Sequence, residues 1–145
     1  MALADCIAAE MVAFYRTYVQ WDIDMILPVP LSAKRFRERG YNQAALFALP
    51  LALALEVQYR PQVIRRVRHT ASQVNLSWRE RQTNVAGAFT AESHQVAGRK
   101  VMLIDDVITT GATIFACASA LMDAGAQAVY ALSVARAPMH TDPAS

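Results

Sequence analysis

The sequence predicts an α/β domain with a mostly parallel twisted sheet flanked by helices, and three observations carry that expectation. Its 145 residues and 15.9 kDa suit one domain, long enough to bury roughly two thirds of its extended-chain surface without a metal or disulfide staple. Short apolar runs of strand length alternate with stretches of helical periodicity. Residues 101–135 read as strand, loop, helix and strand, a βαβ unit that requires a parallel pair and a right-handed crossover.

Taken in order, residues 2–19 place Leu3, Ile7, Met11, Phe14, Tyr15 and Tyr18 at helical spacings, and Met25, Ile26 and Leu27 form a short buried strand. Pro28 and Pro30 end it. Residues 32–40, SAKRFRERG, read as a polar loop before a second helix over 42–56, which Pro50 should kink or break. Residues 62–67 alternate weakly, as a strand would. Residues 69–84 are polar, lack apolar periodicity and make the longest candidate for a mobile loop, and a short strand is expected within 85–90. Gly98 turns the chain into the best strand, 100–104, which Asp105 and Asp106 bound at its far end. A helix over 112–124 follows, closed by Gly125 at its C′ position, and 129–135 is a further apolar strand. The domain is expected to span 1–137, with 138–145 a disordered tail. There is no internal repeat and no low-complexity segment.

Composition excludes several classes. Hydrophobic residues are 54% of the chain, but 27 residues are alanine, which marks tight helix packing. The longest apolar run, 44–55, holds 12 residues including Pro50, too few to span a bilayer. The opening MALADCIAAEMVAF carries acids where a signal peptide carries positive charge, so a cytoplasmic protein is expected. Cys6 and Cys117 stand 111 positions apart with no CxxC, which argues against a zinc site or a disulfide framework and for two small apolar core residues. The formal charge of +2 conceals an asymmetry: residues 34–81 hold ten basic and three acidic residues, a net of +7, against −5 elsewhere. An anion, phosphate or nucleic acid, would be drawn to this middle third.

The segment VMLIDDVITTGAT, residues 101–113, concentrates the chemistry. A buried strand ends in two acids, then turns through hydroxyl-rich residues into a helix. The helix N-terminus offers backbone N–H groups and the positive end of its dipole to a phosphate. Thr109, Thr110 and Thr113 add hydroxyls, and Gly111 admits close backbone approach. Two carboxylates at the carboxyl end of a strand can accept hydrogen bonds from a vicinal diol. Phosphate on one side and diol on the other describe a ribose 5-phosphate. An acid pair and threonines in this place can also simply cap the next helix. The pattern is neither a P-loop nor a GxGxxG fingerprint.

VMLIDDVITTGAT resembles the signature of type I phosphoribosyltransferases that binds phosphoribosyl pyrophosphate (PRPP). Pro28-Val29-Pro30-Leu31 with Lys34, Arg35, Arg37 and Arg39-Gly40-Tyr41-Asn42-Gln43, then Thr70, Gln73, Arg81 and Asn84-Val85-Ala86-Gly87-Ala88-Phe89, are similar to the ComF/GntX branch, over about 24–136. The resemblance implies that Asp105 and Asp106 bind the ribose hydroxyls, and that Val107, Ile108, Thr109, Thr110, Gly111, Ala112 and Thr113 surround the 5-phosphate. It implies that Pro30, Leu31, Lys34, Arg35, Arg39 and Arg81 meet the diphosphate. Residues 65–81 stand where a mobile hood closes over the site. Arg66 and His69 within it are catalytic candidates together with Asp105 and Asp106. Magnesium is expected through PRPP oxygens with no dedicated protein metal site, as suits a small hard cation that keeps its waters.

Departures from the wider superfamily narrow the chemistry. Thr109 stands where 6-oxopurine enzymes carry an aspartate base, and threonine cannot take that role at neutral pH. Orotate enzymes place a lysine on the mobile loop, and here Lys34 and Lys100 both lie outside 65–81. ComF-like proteins commonly begin with a cysteine-rich zinc-binding segment that this sequence does not contain, as in a short form or a piece of a longer protein. Three readings follow: a transferase that joins ribose 5-phosphate to a nitrogen acceptor, a PRPP or nucleotide-binding module serving DNA uptake, and a structural α/β domain. The expected partner is PRPP, without a membrane, and a homodimer is allowed. Nucleic acid ranks behind it, because rings are sparse among the cations: Phe36, Tyr41, Phe47, Tyr59 and Trp78.

Overall fold

The structure, a computed structural model, describes residues 2–67 and 87–137. Two parallel strands form its centre. β1 (Met25–Pro28) is buried at every position, and β5 (Lys100–Ile108) runs beside it, with Met25 opposite Val101 and Pro28 opposite Ile104. β2 (Gln58–Tyr59) lies outside β1 and β6 (Ala128–Arg136) outside β5, giving an all-parallel sheet in the order β2-β1-β5-β6. A separate antiparallel ribbon pairs β3 (Ile64–Arg66) with β4 (Phe89–Ala91). The helices are α1 (Leu3–Phe14), continued by a π-helical turn over Tyr15–Val19, then α2 (Ala33–Arg39), α3 (Gln43–Leu55), α4 (Ser93–Val96) and α5 (Ala112–Asp123).

Strand pleating divides the core into two layers. Ile26, Met102 and Ile104 pack with Met11 and Tyr15 on one side of the sheet, and with Phe47, Ala48 and Leu51 of α3. Met25, Leu27, Val101 and Leu103 face the other way, toward Cys117 and Leu121 of α5 and toward Val63, Ile64 and Phe89 of the ribbon. Because both faces are covered, the central strands read as unbroken apolar runs instead of alternating ones. Each fully buried Leu, Ile or Met contributes about 1.5–3 kcal/mol.

Several elements depart from the sequence expectation. The segment read as a polar loop is the helix α2: the Ser32 hydroxyl accepts from the Arg35 N–H at 3.2 Å, Gly40 closes the end, and good helix formers lie between. Periodicity is blind to it because α2 buries no residue. The short elements β2 and α4 also carry too little pattern to announce themselves. α3 runs through Pro50 without ending; the carbonyl that loses its partner belongs to Leu46, whose residue is exposed and so accessible to water. α1 buries Ala8 and Met11 and leaves Leu3 and Phe14 exposed, with Phe14 packed against the exposed Tyr18 of the π-helical turn. Cys117 is buried as expected, whereas Cys6 lies on the solvent side of α1. The strand expected over 85–90 appears as β4, displaced toward its C-terminal end. The segment 69–84 and the tail 138–145 lie outside the described residues.

α5 and β5 are tied together at the end of the sheet remote from the acids. The Gly98 N–H donates to the Gly125 carbonyl at 2.9 Å, and Gly125 adopts φ +100°. A Cβ there would sit 3.4 Å from the Ala97 Cα. Gly125→Ala is therefore expected to destabilise the protein by about 1 kcal/mol or more through backbone strain. Urea unfolding checks this: the midpoint should fall with an unchanged slope, and an unmoved midpoint would show that the turn relaxes without cost.

Candidate functional site

The sheet has a crevice where two neighbouring strands part company. β1 ends at Pro28, and the Val29 N–H makes a last bond to the Ile104 carbonyl at 2.8 Å. β5 continues for four more residues, paired among the described residues with β6 alone, from Asp105 opposite Ser133 to Ile108 opposite Arg136. From β1 the chain passes through α2 and α3 to β2 on one side, and from β5 through α5 to β6 on the other. This is a topological switch point, where open α/β sheets bind ligands. Asp105 and Asp106 lie within the extended strand, beside the gap left by β1, and not beyond the strand's end as the sequence suggested.

The two acids do not cap α5. The Asp105 carboxylate accepts from the Asp106 N–H at 2.9 Å, and Asp106 from the Val107 N–H at 2.8 Å. Both residues are half-buried. Burial raises the Asp105 pKa to about 7, helped by the hydrogen bond that its protonated carboxyl donates to the Asp106 side chain and by the negative charge of Asp106; the Asp106 N–H and Arg35 oppose the shift. Two crowded carboxyls that hold one proton near neutrality are a site for hydroxyl donors or for a cation.

After β5 the chain turns through Thr109, which is exposed, and Thr110, whose hydroxyl accepts from the Ala112 N–H at 3.3 Å. Gly111 then takes φ +83° at the N-cap of α5 and supplies no side chain to cover the helix end. A Cβ on Gly111 would touch the Phe115 ring at 3.8 Å. Ala112 is buried and Thr113 half-buried, so the turn is anchored from below.

Two other elements bring cations toward this crevice, Arg35 from α2 and Arg66 from β3. Pro30 and Leu31 are half-buried as the chain leaves β1, and Lys34, Arg35 and Arg39 follow on α2, all exposed. The Arg39 guanidinium donates to the Gln43 Oε1 at 3.3 Å. Arg66, at the end of β3, lies with its guanidinium carbon 4.7 Å from the centre of the Phe89 ring. Burial lowers its pKa, the neighbouring Cys117 opposes that, and Arg35 adds to it. Burial in turn pushes the Cys117 thiol up to about 12, Arg66 pulling it down and Asp105 raising it. That thiol is an inert core group. The charge of Arg35 thus acts on both Asp105 and Arg66, and the Cys117 thiol feels both Arg66 and Asp105. His69 and Arg81 lie outside the described residues.

Sequence reasoning named two supporting residues only as part of the ComF-like segments and gave them no role. The Asn42 side chain caps α3 by accepting from the Ala44 N–H at 3.1 Å and donates to the Val29 carbonyl at 2.9 Å, fixing the chain after β1. An Asn directly before an apolar run is a legible capping signal, but its reach back to Val29 is a tertiary fact. Phe89 is the other, as the ring beneath Arg66. Among the described residues no group of three His, Cys, Asp or Glu could hold a metal. The hard oxygens of Asp105 and Asp106 fit a magnesium ion held mostly through a ligand.

Residues 7–144 match the phosphoribosyl transferase domain. The chain belongs to that family. Its type I, ComF-like branch is marked by relatives such as the DNA utilization protein YhgH of Escherichia coli K12, 40% identical over 78% of this chain and 49% of its own. Competence protein F of Haemophilus influenzae is 36% identical over 79% of this chain and 51% of its own. The chain therefore spans about half the length of the curated relatives it matches. Among solved structures, the glutamine PRPP amidotransferase of B. subtilis, in complex with ADP and GMP, superposes with a TM-score of 0.60 at 21% identity, covering 90% of this chain and 26% of that one. That likeness carries the fold. The phosphoribosyltransferase-like α/β architecture agrees with the expectation drawn from residues 101–113. Among the described residues no helix is long and apolar enough to cross a membrane.

The raised Asp105 pKa has a stability consequence. The folded protein holds this proton more tightly than the unfolded chain, so between roughly pH 4 and 7 the native state binds more protons and stability falls as pH rises. Asp105→Asn keeps the acceptor oxygen but cannot ionise. The variant is expected to melt above the parent at about pH 8, with the gain shrinking toward about pH 4. Parallel melting profiles across that range would show that Asp105 ionises freely.

Asn42→Ala removes the cap and the tie to Val29 together. The expected loss is about 1–2 kcal/mol in chemical unfolding. A loss near zero would mean that water replaces both bonds.

Proposed function

We propose that the chain binds PRPP in the crevice between β1 and β5 and transfers its ribose 5-phosphate to a nitrogen acceptor, releasing pyrophosphate. The observation that carries this reading is the convergence of the Asp105–Asp106 pair, the Gly111 turn into α5, and the cations Arg35 and Arg66 at one break in the sheet. In the proposed arrangement the turn from Val107 through Thr113 receives the 5-phosphate at the positive end of α5. Asp105 and Asp106 accept hydrogen bonds from the ribose hydroxyls. Pro30, Leu31, Lys34, Arg35 and Arg39 line the diphosphate side, with Arg81 and His69 assigned there by resemblance.

The transfer breaks the bond from the ribose C1 to a diphosphate oxygen and forms one to the acceptor nitrogen, whose proton is lost. Charge builds up on the diphosphate as the ring becomes oxocarbenium-like. The guanidinium of Arg66 is partly desolvated and held on Phe89, so it stabilises that charge with less reorganisation than a fully solvated cation. Positioning and electrostatics supply the catalysis. Magnesium, when bound, supplies further positive charge to the diphosphate, and Asp105 and Asp106 would hold it through the substrate's oxygens.

A second reading, binding without transfer, is favoured by Thr109, whose exposed hydroxyl cannot serve as a base. The names of the relatives, a competence protein and a DNA utilization protein, support a setting in DNA uptake or use for either reading. Calorimetric titration with PRPP and magnesium, followed by a pyrophosphate-release assay across nucleobases and simple amines, separates the two. Binding with release for one acceptor is the expected result. Binding without release for any would establish the second reading. The Asp105→Asn, Asp106→Asn double variant should bind PRPP about 100-fold more weakly while remaining folded. Unchanged affinity would sink the assignment.

A further inference from the structure

We propose that two copies of this chain join through the outer edge of β6 and the flank of α1 beside it, so that two four-stranded sheets become one. β6 is the end strand of its sheet. Its nine residues pair with β5 along one side, and among the described residues none pairs with the other side. An open edge is a row of backbone N–H and C=O groups, which folded proteins blunt with charge, proline, a bulge or extreme shortness. β2, at the opposite edge, is two residues long. β6 has no such guard: residues 128–135, AVYALSVA, carry no charge and no proline, and one register with β5 holds from Ala128 to Arg136 without a bulge. Its first six residues are half-buried and its last three exposed, whereas every residue of β1 is buried.

The helix layer is unfinished in the same place. Arg16 reaches toward α3 and donates to the Ala54 carbonyl at 2.9 Å. Phe14 lies two residues earlier, about 200° round the helix, on the flank turned away from α3. α3 covers β1 and β2, so this flank is the one on the β6 side. Trp21, just past the π-helical turn, stacks on Tyr130 of β6 with ring centres 4.8 Å apart. Phe14 and Tyr18 pack together on that flank with 49% and 76% of their surfaces exposed. Leu3, 76% exposed, stands about three turns before Phe14 on nearly the same line. The exposed Glu10 between them is turned about 40° toward solvent, at the rim.

Both features fit a second copy. A twofold axis perpendicular to the sheet sets β6 antiparallel to its counterpart and keeps the two α1 helices on the same face, so Phe14 and Tyr18 of each copy come against Leu3 of the other. Residues near such an axis meet their own counterparts, and like charges there repel. The middle of β6 has none. A single peptide strand would pair the backbone edge but leave the α1 flank bare. A strand of nine residues runs about 30 Å, and the sheet with a helix layer on each face is about 25 Å deep. The edge therefore offers about 750 Å² per copy, close to the roughly 800 Å² that a stable interface takes from each partner.

The test is sedimentation equilibrium of the purified chain, with hydrogen exchange at β6 read at high and low protein concentration. A reversible dimer with a micromolar or tighter dissociation constant is expected, and the β6 amides should lose protection on dilution. Val134→Lys, on the open strand, and Phe14→Lys, on the flank, should each weaken the dimer about tenfold or more. Leu53→Lys, on the exposed face of α3, is the control and should leave the dimer intact. Unchanged urea midpoints show that the variants are folded; should Val134→Lys fail to fold, Phe14→Lys decides. A monomer at every concentration would overturn the proposal, as would a dimer indifferent to the edge and flank substitutions. A dimer lost in Leu53→Lys, or β6 exchange that ignores dilution, would overturn it equally.

Discussion

The parallel pairing of β1 with β5 stops at Pro28 opposite Ile104, and the rest of the site depends on that early stop. Proline donates no backbone hydrogen bond, and Pro28 and Pro30 bracket the point where the chain leaves the sheet. β5 keeps its other neighbour and goes on. The space beside its last residues is then roofed by whatever follows β1, which is why cations nearly 70 positions earlier in the chain can stand across from Asp105. A longer β1 would fill the crevice with its own backbone and leave the acids facing a strand.

The same split accounts for the unusual electrostatics. Asp105 lies where apolar layers meet the opening, so its charge is poorly hydrated and its neighbour's charge adds to the cost. Arg66 meets the mirror-image problem on the ribbon, and the Phe89 face partly replaces the water it has lost. Groups of opposite sign, each short of solvent, face one opening. A ligand carrying both hydroxyls and a polyanion satisfies them together.

Much of this was legible in the sequence because the decisive elements are long or chemically distinctive. The run Val101-Met102-Leu103-Ile104 could only be a strand buried on both faces, and Gly125 marks the end of α5 by a position that needs positive φ. What escaped were elements that bury nothing or almost nothing: α2, with no inward face, and β2, two residues held by neighbours. Their signals were caps and register, which periodicity does not report. The acids could be named from sequence, but their place inside β5 follows from pairing with β6, a long-range contact that no local pattern contains. Cys6 shows the reverse error, since residue type predicted burial where helix phase placed it outside.

Among the described residues the ribbon of β3 and β4 is three residue pairs long and pairs with no strand of the main sheet. A two-stranded ribbon of that length has little cooperativity of its own, and its order is borrowed from Val63, Ile64 and Phe89 where they rest against α5. The acid pair, in contrast, belongs to the most deeply paired strand of the molecule. One wall of the crevice is therefore part of the global folding unit and the other, carrying Arg66, is a local unit that opens at lower free energy. Under the proposed reading, such a division keeps the floor under the sugar fixed while the wall beside the diphosphate adjusts as that group departs.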